Sequence, residues 1–173
     1  MTLAAFNLVR WIDEHRHILR PPVGNAQLFE ASGDFIVFVV GGPNARSDYH
    51  DDPFDELFYQ LQGTMVLKVI EDGDFRDIPV AAGEMLLLPA HMRHSPQRPE
   101  EGSVGLVIEK KRPPGSLDGF EWYCPECAAL VHRLEAHVAD IVADLPPLFD
   151  RFYNDKAARI CPDCGAGHPG RIA

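Results

Sequence analysis

The spacing of apolar residues changes along the chain. Between residues 8 and 19, Leu8, Trp11, Ile12, His15, Ile18 and Leu19 recur at the three- and four-residue interval of one helical face, and Pro21 and Pro22 mark its end. Beyond that point the helical period is lost. Residues 35–40 are an unbroken apolar run closed by Gly41-Gly42-Pro43-Asn44, and short strands are predicted over 56–62, 65–71, 75–80, 84–88 and 104–109. Asp72-Gly73, between two of these, is a hairpin dipeptide. Many short strands with Gly/Pro punctuation and little helix predict a mainly β chain, folded as a sandwich or barrel. Near Arg112 the character changes again. Pro113-Pro114-Gly115 reads as a linker, 138–145 is helix-like, and Pro146 can open a short helix carrying Leu148, Phe149, Phe152 and Tyr153. The expected organisation is a barrel with an N-terminal helix over 1–112 and a C-terminal extension over 113–173 packed on it.

Composition narrows what such a barrel can do. The 173 residues suffice for one domain with an appendage, and 46% hydrophobic with 24% charged residues is the balance of a globular protein. Sixteen basic against twenty-six acidic residues give −10, which argues against nucleic acid and anionic membrane as partners. No apolar run approaches the length of a membrane span, and the opening MTLAAFNLVRWIDEH lacks the order of a signal peptide. The expected location is cytoplasmic, where disulfides are disfavoured, so four cysteines need another explanation.

Chemistry concentrates in two stretches. The first, from Gly42 to Gly63, holds His50 and then Glu56-x₆-Gly63; the second reads Gly83-x₅-Pro89-x₄-His94. Two imidazoles and one carboxylate can occupy one face of a metal and leave the other open, the arrangement with which non-haem Fe(II) activates O₂. Asp52, two residues beyond His50, is a further candidate ligand, and His91 falls in a turn after Pro89-Ala90. His15, His17, His132, His137 and His168 read as ordinary surface or structural histidines. Arg46 precedes His50 by four residues and Arg98 follows His94 by four, so both are expected at the rim of the metal. Guanidinium forks match carboxylates in two-point contact, which points to a small anionic substrate. Glu109 ends the apolar strand 104–109, where it can accept a proton from a bound hydroxyl or amine, or pair with Lys110, Lys111 or Arg112. Cys124-Pro125-Glu126-Cys127 and Cys161-Pro162-Asp163-Cys164 form two C-x₂-C pairs separated by 33 residues. Closed tetrahedral ligation by four thiolates follows, and a saturated site of that kind is structural. The Cys-Pro-x-Cys knuckles resemble rubredoxin, so the ion is iron or zinc.

The two stretches resemble the paired motifs of the cupin superfamily, small jelly-roll β-barrels, over roughly residues 25–112. Asp52 stands where that pattern has a second histidine, His91 where it has a glycine and Arg98 where it has an asparagine. The match sharpens in Asp48-Tyr49-His50-Asp51-Asp52-Pro53, Phe58-Tyr59-Gln60 and Arg93-His94-Ser95-Pro96-Gln97-Arg98-Pro99. It extends to Trp11-Ile12-Asp13-Glu14-His15, Pro21-Pro22-Val23-Gly24-Asn25 and Asp118-Gly119-Phe120-Glu121-Trp122-Tyr123-Cys124. Together these resemble the 3-hydroxyanthranilate 3,4-dioxygenase family in its bacterial form. That resemblance implies a catalytic Fe(II) on His50, Glu56 and His94, and a second iron or zinc on Cys124, Cys127, Cys161 and Cys164. It also implies that Arg46 and Arg98 bind the substrate carboxylate, with Arg46 also next to O₂. Glu56 and Glu109 then meet the substrate, Glu109 as the catalytic proton acceptor. A small aromatic acid and O₂ are the implied partners, in a homodimer by default. Two other classes fit parts of the pattern: another cupin metalloenzyme such as a sugar isomerase, and a small-molecule-sensing regulator. The second lacks a basic recognition helix in its tail.

Overall fold

The computed structural model of the chain describes residues 4–21, 24–29 and 33–172. Its elements are α1 (Leu8–His15), β1 (Asn25–Gln27), β2 (Phe35–Gly41), β3 (Tyr49–Asp51), β4 (Glu56–Gln62), β5 (Met65–Glu71), β6 (Asp74–Val80), β7 (Met85–Leu88), β8 (Arg93–Gln97), β9 (Val104–Lys110), β10 (Asp118–Tyr123), β11 (Leu130–Ala136) and α2 (Ile141–Tyr153). Two antiparallel sheets face each other, one ordered β1-β2-β9-β4-β7 and the other β11-β10-β3-β8-β5-β6. Strands distant in sequence lie side by side, as in a small jelly-roll barrel of the cupin kind.

The six predicted strands are β2, β4, β5, β6, β7 and β9, each within a residue of its predicted ends. Alternation along them fills the space between the sheets with Ile36, Phe38, Val40, Phe58, Met65, Leu67, Val69, Val80, Leu88 and Val107. Asp72 and Gly73 both take positive φ (53° and 90°) in the β5–β6 hairpin, as a two-residue turn of matching twist requires. The helix predicted to residue 19 stops at His15. Asn7 caps its start by accepting from the Arg10 amide at 3.0 Å. At its end, turns from His15 to Ile18 and from Arg16 to Leu19 bend the chain, so that Leu19 joins Ile12, Val39 and Val104 beneath the first sheet. Pro22, assigned a part in ending this helix, lies outside the described residues.

Residues beyond the Pro113-Pro114-Gly115 stretch are woven into the second sheet. β10 pairs with β3 in the register Gly119↔Asp51, Phe120↔His50 and Glu121↔Tyr49, and with β11 on its other edge. A second core of Phe120, Trp122, Leu134, Val138, Leu148 and Phe152 joins these strands to α2. Two helices were expected here from the position of Pro146, but one helix runs through Pro146 and Pro147. Each proline deletes an intrahelical bond, and the packing of Leu148 and Phe152 on the sheet keeps the helix continuous. Its start is fixed by Asp140, whose side chain accepts from the Ala143 amide, and by Asp144, which accepts from the amides of Ala139 and Asp140. Among the described residues, no helix is long and apolar enough to cross a membrane.

Candidate active site

One end of the barrel interior is polar because the inward positions of four strands change from apolar to charged. His50 on β3 and His94 on β8 are register partners in the second sheet. Glu56 opens β4 in the first sheet and stands opposite Glu109 of β9. The two sheets thus bring His50, Glu56 and His94 together, 8%, 3% and 1% exposed, with one donor atom from each within 4.8 Å of the others. His94 Nδ1 donates to the Met92 carbonyl at 2.9 Å, and its Nε2 lies 3.0 Å from Glu56 Oε1. His50 Nε2 faces Asp118 Oδ1 at 2.8 Å while Nδ1 lies 3.4 Å from the same Glu56 oxygen, and Phe120 stacks on the ring at 4.9 Å. Despite these short approaches, Glu56 Oε1 is buried without a hydrogen bond of acceptable geometry. Donors that converge without bonding one another suit a metal ion.

Charge supports the same fit. Buried carboxylates outnumber buried guanidiniums here: Asp48, Glu56, Glu109 and Asp118 line the cavity and Asp52 lies beside Arg112, against Arg98 and Arg112. Half-buried Arg46 and exposed Arg171 also line it, each held by an aspartate, Asp48 and Asp150. Protons help to balance the carboxylates. Burial acts to lower the His50 pKa, but Asp118 and Glu56 outweigh it and raise it to about 10. Burial acts to raise the Glu56 pKa, but His94 and His50 hold it well below the usual range. To serve as a metal ligand, His50 would have to give up that proton.

Beside this triad lies a cavity of about 410 Å³, large enough for a single-ring aromatic acid. Phe38, Phe58 and Val107 of the barrel line it, with Ile141, Leu145 and Phe149 of α2 on the far side. Arg46 and Arg98 both reach it, but in different states. Arg46 is held by Asp48, with Nη2 2.5 Å from Oδ2. Arg98 is 1% exposed, its Nε has no hydrogen-bond partner, and among the described residues no carboxylate pairs with it. Burial and neighbouring Arg46 lower its pKa to about 10, so it is a cation in need of an anion. Room for its guanidinium comes from Gly105, where an added Cβ would lie 2.6 Å from Gln60 Oε1 and 3.1 Å from Arg98 Nη2. Gly105→Ala should therefore push Gln60 Oε1 aside and crowd Arg98, raising the substrate KM by up to about tenfold, with barrel metal content unchanged. Steady-state kinetics with metal analysis checks this.

Glu109 points inward and is buried, and Arg112 is its partner of the three cations considered. Lys110 instead covers the Phe54 ring at 4.7 Å. Burial and the Glu56 charge raise the Glu109 pKa while Arg112 opposes them. Asp52 accepts from Arg112 and from the Phe54 amide rather than turning toward Glu56. His91 leaves the site altogether: exposed itself, it pairs with buried Asp51. Elsewhere His15 stacks on Trp11, His132 on Phe152, His137 meets the Ser116 carbonyl and His168 accepts from the Gly170 amide. Sequence alone does not single out Asp48 or Asp118; Asp118 had one pointer, the in-register neighbourhood of Phe120 and His50, which only the sheet reveals.

The four cysteines meet as expected from their spacing. Their sulfurs lie within 4.8 Å of one another, with Cys124–Cys164 and Cys127–Cys161 each at 3.6 Å. Sulfurs on one tetrahedral ion stand about 3.8 Å apart, against about 2.05 Å in a disulfide. The two knuckles are alike: the Cys124 carbonyl accepts from the Ala128 amide, the Cys161 carbonyl from the Gly165 amide, and Ala128 and Gly165 both take positive φ. The cluster ties the chain just after β10 to the chain beyond α2, and α2 lines the cavity. Replacing any of Cys124, Cys127, Cys161 or Cys164 by serine should lower the melting temperature by on the order of 10 °C and expose the tail to proteases. Barrel metal should survive in the folded fraction, with substrate KM raised because α2 loosens. Thermal melts, limited proteolysis and metal analysis read these effects.

The barrel, the His₂-carboxylate triad open to a cavity and the separate four-cysteine cluster define a cupin-type metalloprotein. The chain belongs to the 3-hydroxyanthranilic acid dioxygenase family, which it matches over residues 1–153. It is 59% identical over 169 residues to the 3-hydroxyanthranilate 3,4-dioxygenase of Ruegeria pomeroyi, covering 98% of this chain and 93% of that protein. The enzyme of the same name from Shewanella woodyi is likewise 59% identical over 169 residues, covering 98% of this chain and 89% of its own. That of Burkholderia lata is 59% identical over 166 residues, covering 96% and 95%.

Proposed function

We propose that the protein is an Fe(II)-dependent ring-cleaving dioxygenase that converts 3-hydroxyanthranilate and O₂ to 2-amino-3-carboxymuconate 6-semialdehyde. Both oxygen atoms enter the product, which cyclises without enzyme to quinolinate, a precursor of NAD. The observation that carries this reading is Arg98, a buried guanidinium without a carboxylate partner among the described residues, in the cavity beside the open triad. His50, Glu56 and His94 are the residues that would hold the iron, and iron supplies there the redox-active Lewis acid through which O₂ can react with the ring.

The chain's own residues bind and orient the substrate. Arg98 receives its carboxylate in a charge-assisted contact that strengthens because water is excluded. Arg46, already neutralised by Asp48, contributes at the rim rather than as a second full charge. With the carboxylate fixed, the adjacent amine and hydroxyl face His50, Glu56 and His94, and the apolar ring lies among Phe38, Phe58, Val107 and Leu145. Glu109 stands opposite Glu56 and is placed to take the ring-hydroxyl proton, for which its raised pKa and its ion pair with Arg112 suit it. Cys124, Cys127, Cys161 and Cys164 hold an iron or zinc ion whose task is to brace α2 against the barrel.

The test is O₂ consumption after anaerobic loading with Fe(II) or Zn(II). The expected result is one O₂ consumed per 3-hydroxyanthranilate with Fe(II) only, and weak activity on 2-aminophenol, which lacks the carboxylate. Equal handling of 2-aminophenol would remove the role of Arg98. Full activity with Zn(II) would remove the redox reading.

A further inference from the structure

Arg112 is a third arginine at the cavity, and binding of the substrate carboxylate does not use it. It follows β9, its side chain is 1% exposed, and one guanidinium touches three carboxylates. Nη1 donates to Glu109 Oε2; Nη2 donates to Asp52 Oδ2 at 2.6 Å and to Asp118 Oδ1 at 2.8 Å; Nε donates to Asp118 Oδ1 at 3.1 Å. Asp118 Oδ1 in turn meets His50 Nε2 at 2.8 Å. His50, Asp52 and Asp118 form a second close donor group that shares the imidazole with the first, and the guanidinium occupies the place a cation would take in it.

We propose that Arg112 is a positioning residue for the barrel metal. By clamping Asp118 it holds the His50 ring with Nδ1 aimed toward Glu56 and His94, and with the other arm of its fork it keeps Glu109 at the cavity. A planar fork can do both at once; a lysine ammonium carries the same charge but cannot hold the carboxylates in that geometry. Carboxylates that orient ligand histidines change metal affinity by roughly ten- to a hundred-fold when removed. Arg112 acts one bond further out, through Asp118. This inference rests on His50, Glu56 and His94 being the metal ligands.

The sign of the effect separates positioning from charge. Removing a buried positive charge near a cation site should, by electrostatics alone, tighten metal binding. Loss of positioning weakens it. The measurement is Co(II) affinity of the full chain stripped of its barrel metal, followed by competition with a chromophoric chelator. Cysteine-site metal and melting temperature are checked in each variant. Arg112→Met and Arg112→Lys should each weaken Co(II) binding about tenfold, Asp118→Asn by ten- to a hundred-fold. The double variant Arg112→Met/Asp118→Asn should be no weaker than Asp118→Asn alone, because the arginine works through the aspartate. If Arg112→Met does not fold, Arg112→Lys and its double with Asp118→Asn carry the same comparison, since the buried charge is kept. Affinity that is unchanged or tighter in Arg112→Met, full recovery in Arg112→Lys, or losses that multiply in the double would overturn the proposal. If wild type binds no Co(II) in the barrel, or His94→Ala binds it equally well, the metal assignment itself fails, independently of Arg112.

Discussion

Alanine at His50, Glu56 or His94 should abolish turnover and remove one metal per chain, while an ion on the four cysteines should stay. Three side chains form the triad, one from each of β3, β4 and β8, so each substitution leaves only two donors for a labile divalent ion. The loss should fall on the bound metal before it falls on the fold, because the three side chains sit at one end of the barrel and the apolar core lies elsewhere. Glu56→Ala should be the most severe. Glu56 Oε1 is the atom approached by both imidazoles, and without it the triad loses its carboxylate and the negative charge that favours a divalent ion. Metal analysis of purified variants decides the matter; a variant with full barrel metal and no activity would remove that residue from the ligand set.

Arg98→Met should have effects of opposite sign on binding and stability. A charge-assisted contact is worth about 1.5–3 kcal/mol, so the KM for the aromatic acid should rise by roughly ten- to a hundred-fold. In the substrate-free protein the same guanidinium is buried without a carboxylate partner among the described residues, which costs stability. An apolar side chain of similar length should therefore raise the melting temperature of the free enzyme while it weakens substrate binding. Arg46→Met should behave differently, because it strands Asp48, 1% exposed, without its cation. It should lose stability as well as affinity. A stable Arg46 variant alongside a destabilised Arg98 variant would reverse the roles assigned to the two arginines.

What could be read in the sequence, and what could not, follows from where polar residues sit in strands. β2, β4, β5, β6, β7 and β9 carry enough apolar or β-branched residues to be predicted almost to the residue. β3 and β8 escape prediction because their inward positions carry His50, His94 and Pro96 in place of aliphatic side chains, so no alternation of apolar and polar remains. The residues that make the site thus hide the strands that carry it. The spacing of four between His94 and Arg98 was still informative, since Arg98 continues β8 through its bridge with Asn44 and residues an even number apart on a strand share a face. Arg46 instead precedes β3, where the chain bends at Ser47 and Asp48, so parity does not account for its place. The cysteine pairs were legible because C-x₂-C is a local geometric device. Arg112 and Asp118 are another matter. The Glu109–Arg112 pair is local and was among those the sequence offered. The meeting of Asp118 with His50, and through it of Arg112 with the triad, depends on β10 pairing with β3, and a run such as Asp118-Gly119-Phe120-Glu121-Trp122-Tyr123 gives no hint of its partner strand. The role of α2 as a cavity wall was hidden for the same reason, and Pro146-Pro147 further suggested a break where the helix continues.

If the proposed function holds, the barrel site opens the ring of 3-hydroxyanthranilate with both atoms of O₂. The most direct measurement is mass spectrometry of the product formed under ¹⁸O₂ by the Fe(II)-loaded protein, beside His94→Ala treated identically. Ring cleavage puts one oxygen atom into a new carboxylate and one into an aldehyde, and cyclisation expels the aldehyde oxygen as water. The expected result is a pyridine dicarboxylate carrying one ¹⁸O atom from wild type and no product from His94→Ala. Ring-opened product without label, or the same labelled product from His94→Ala, would contradict it.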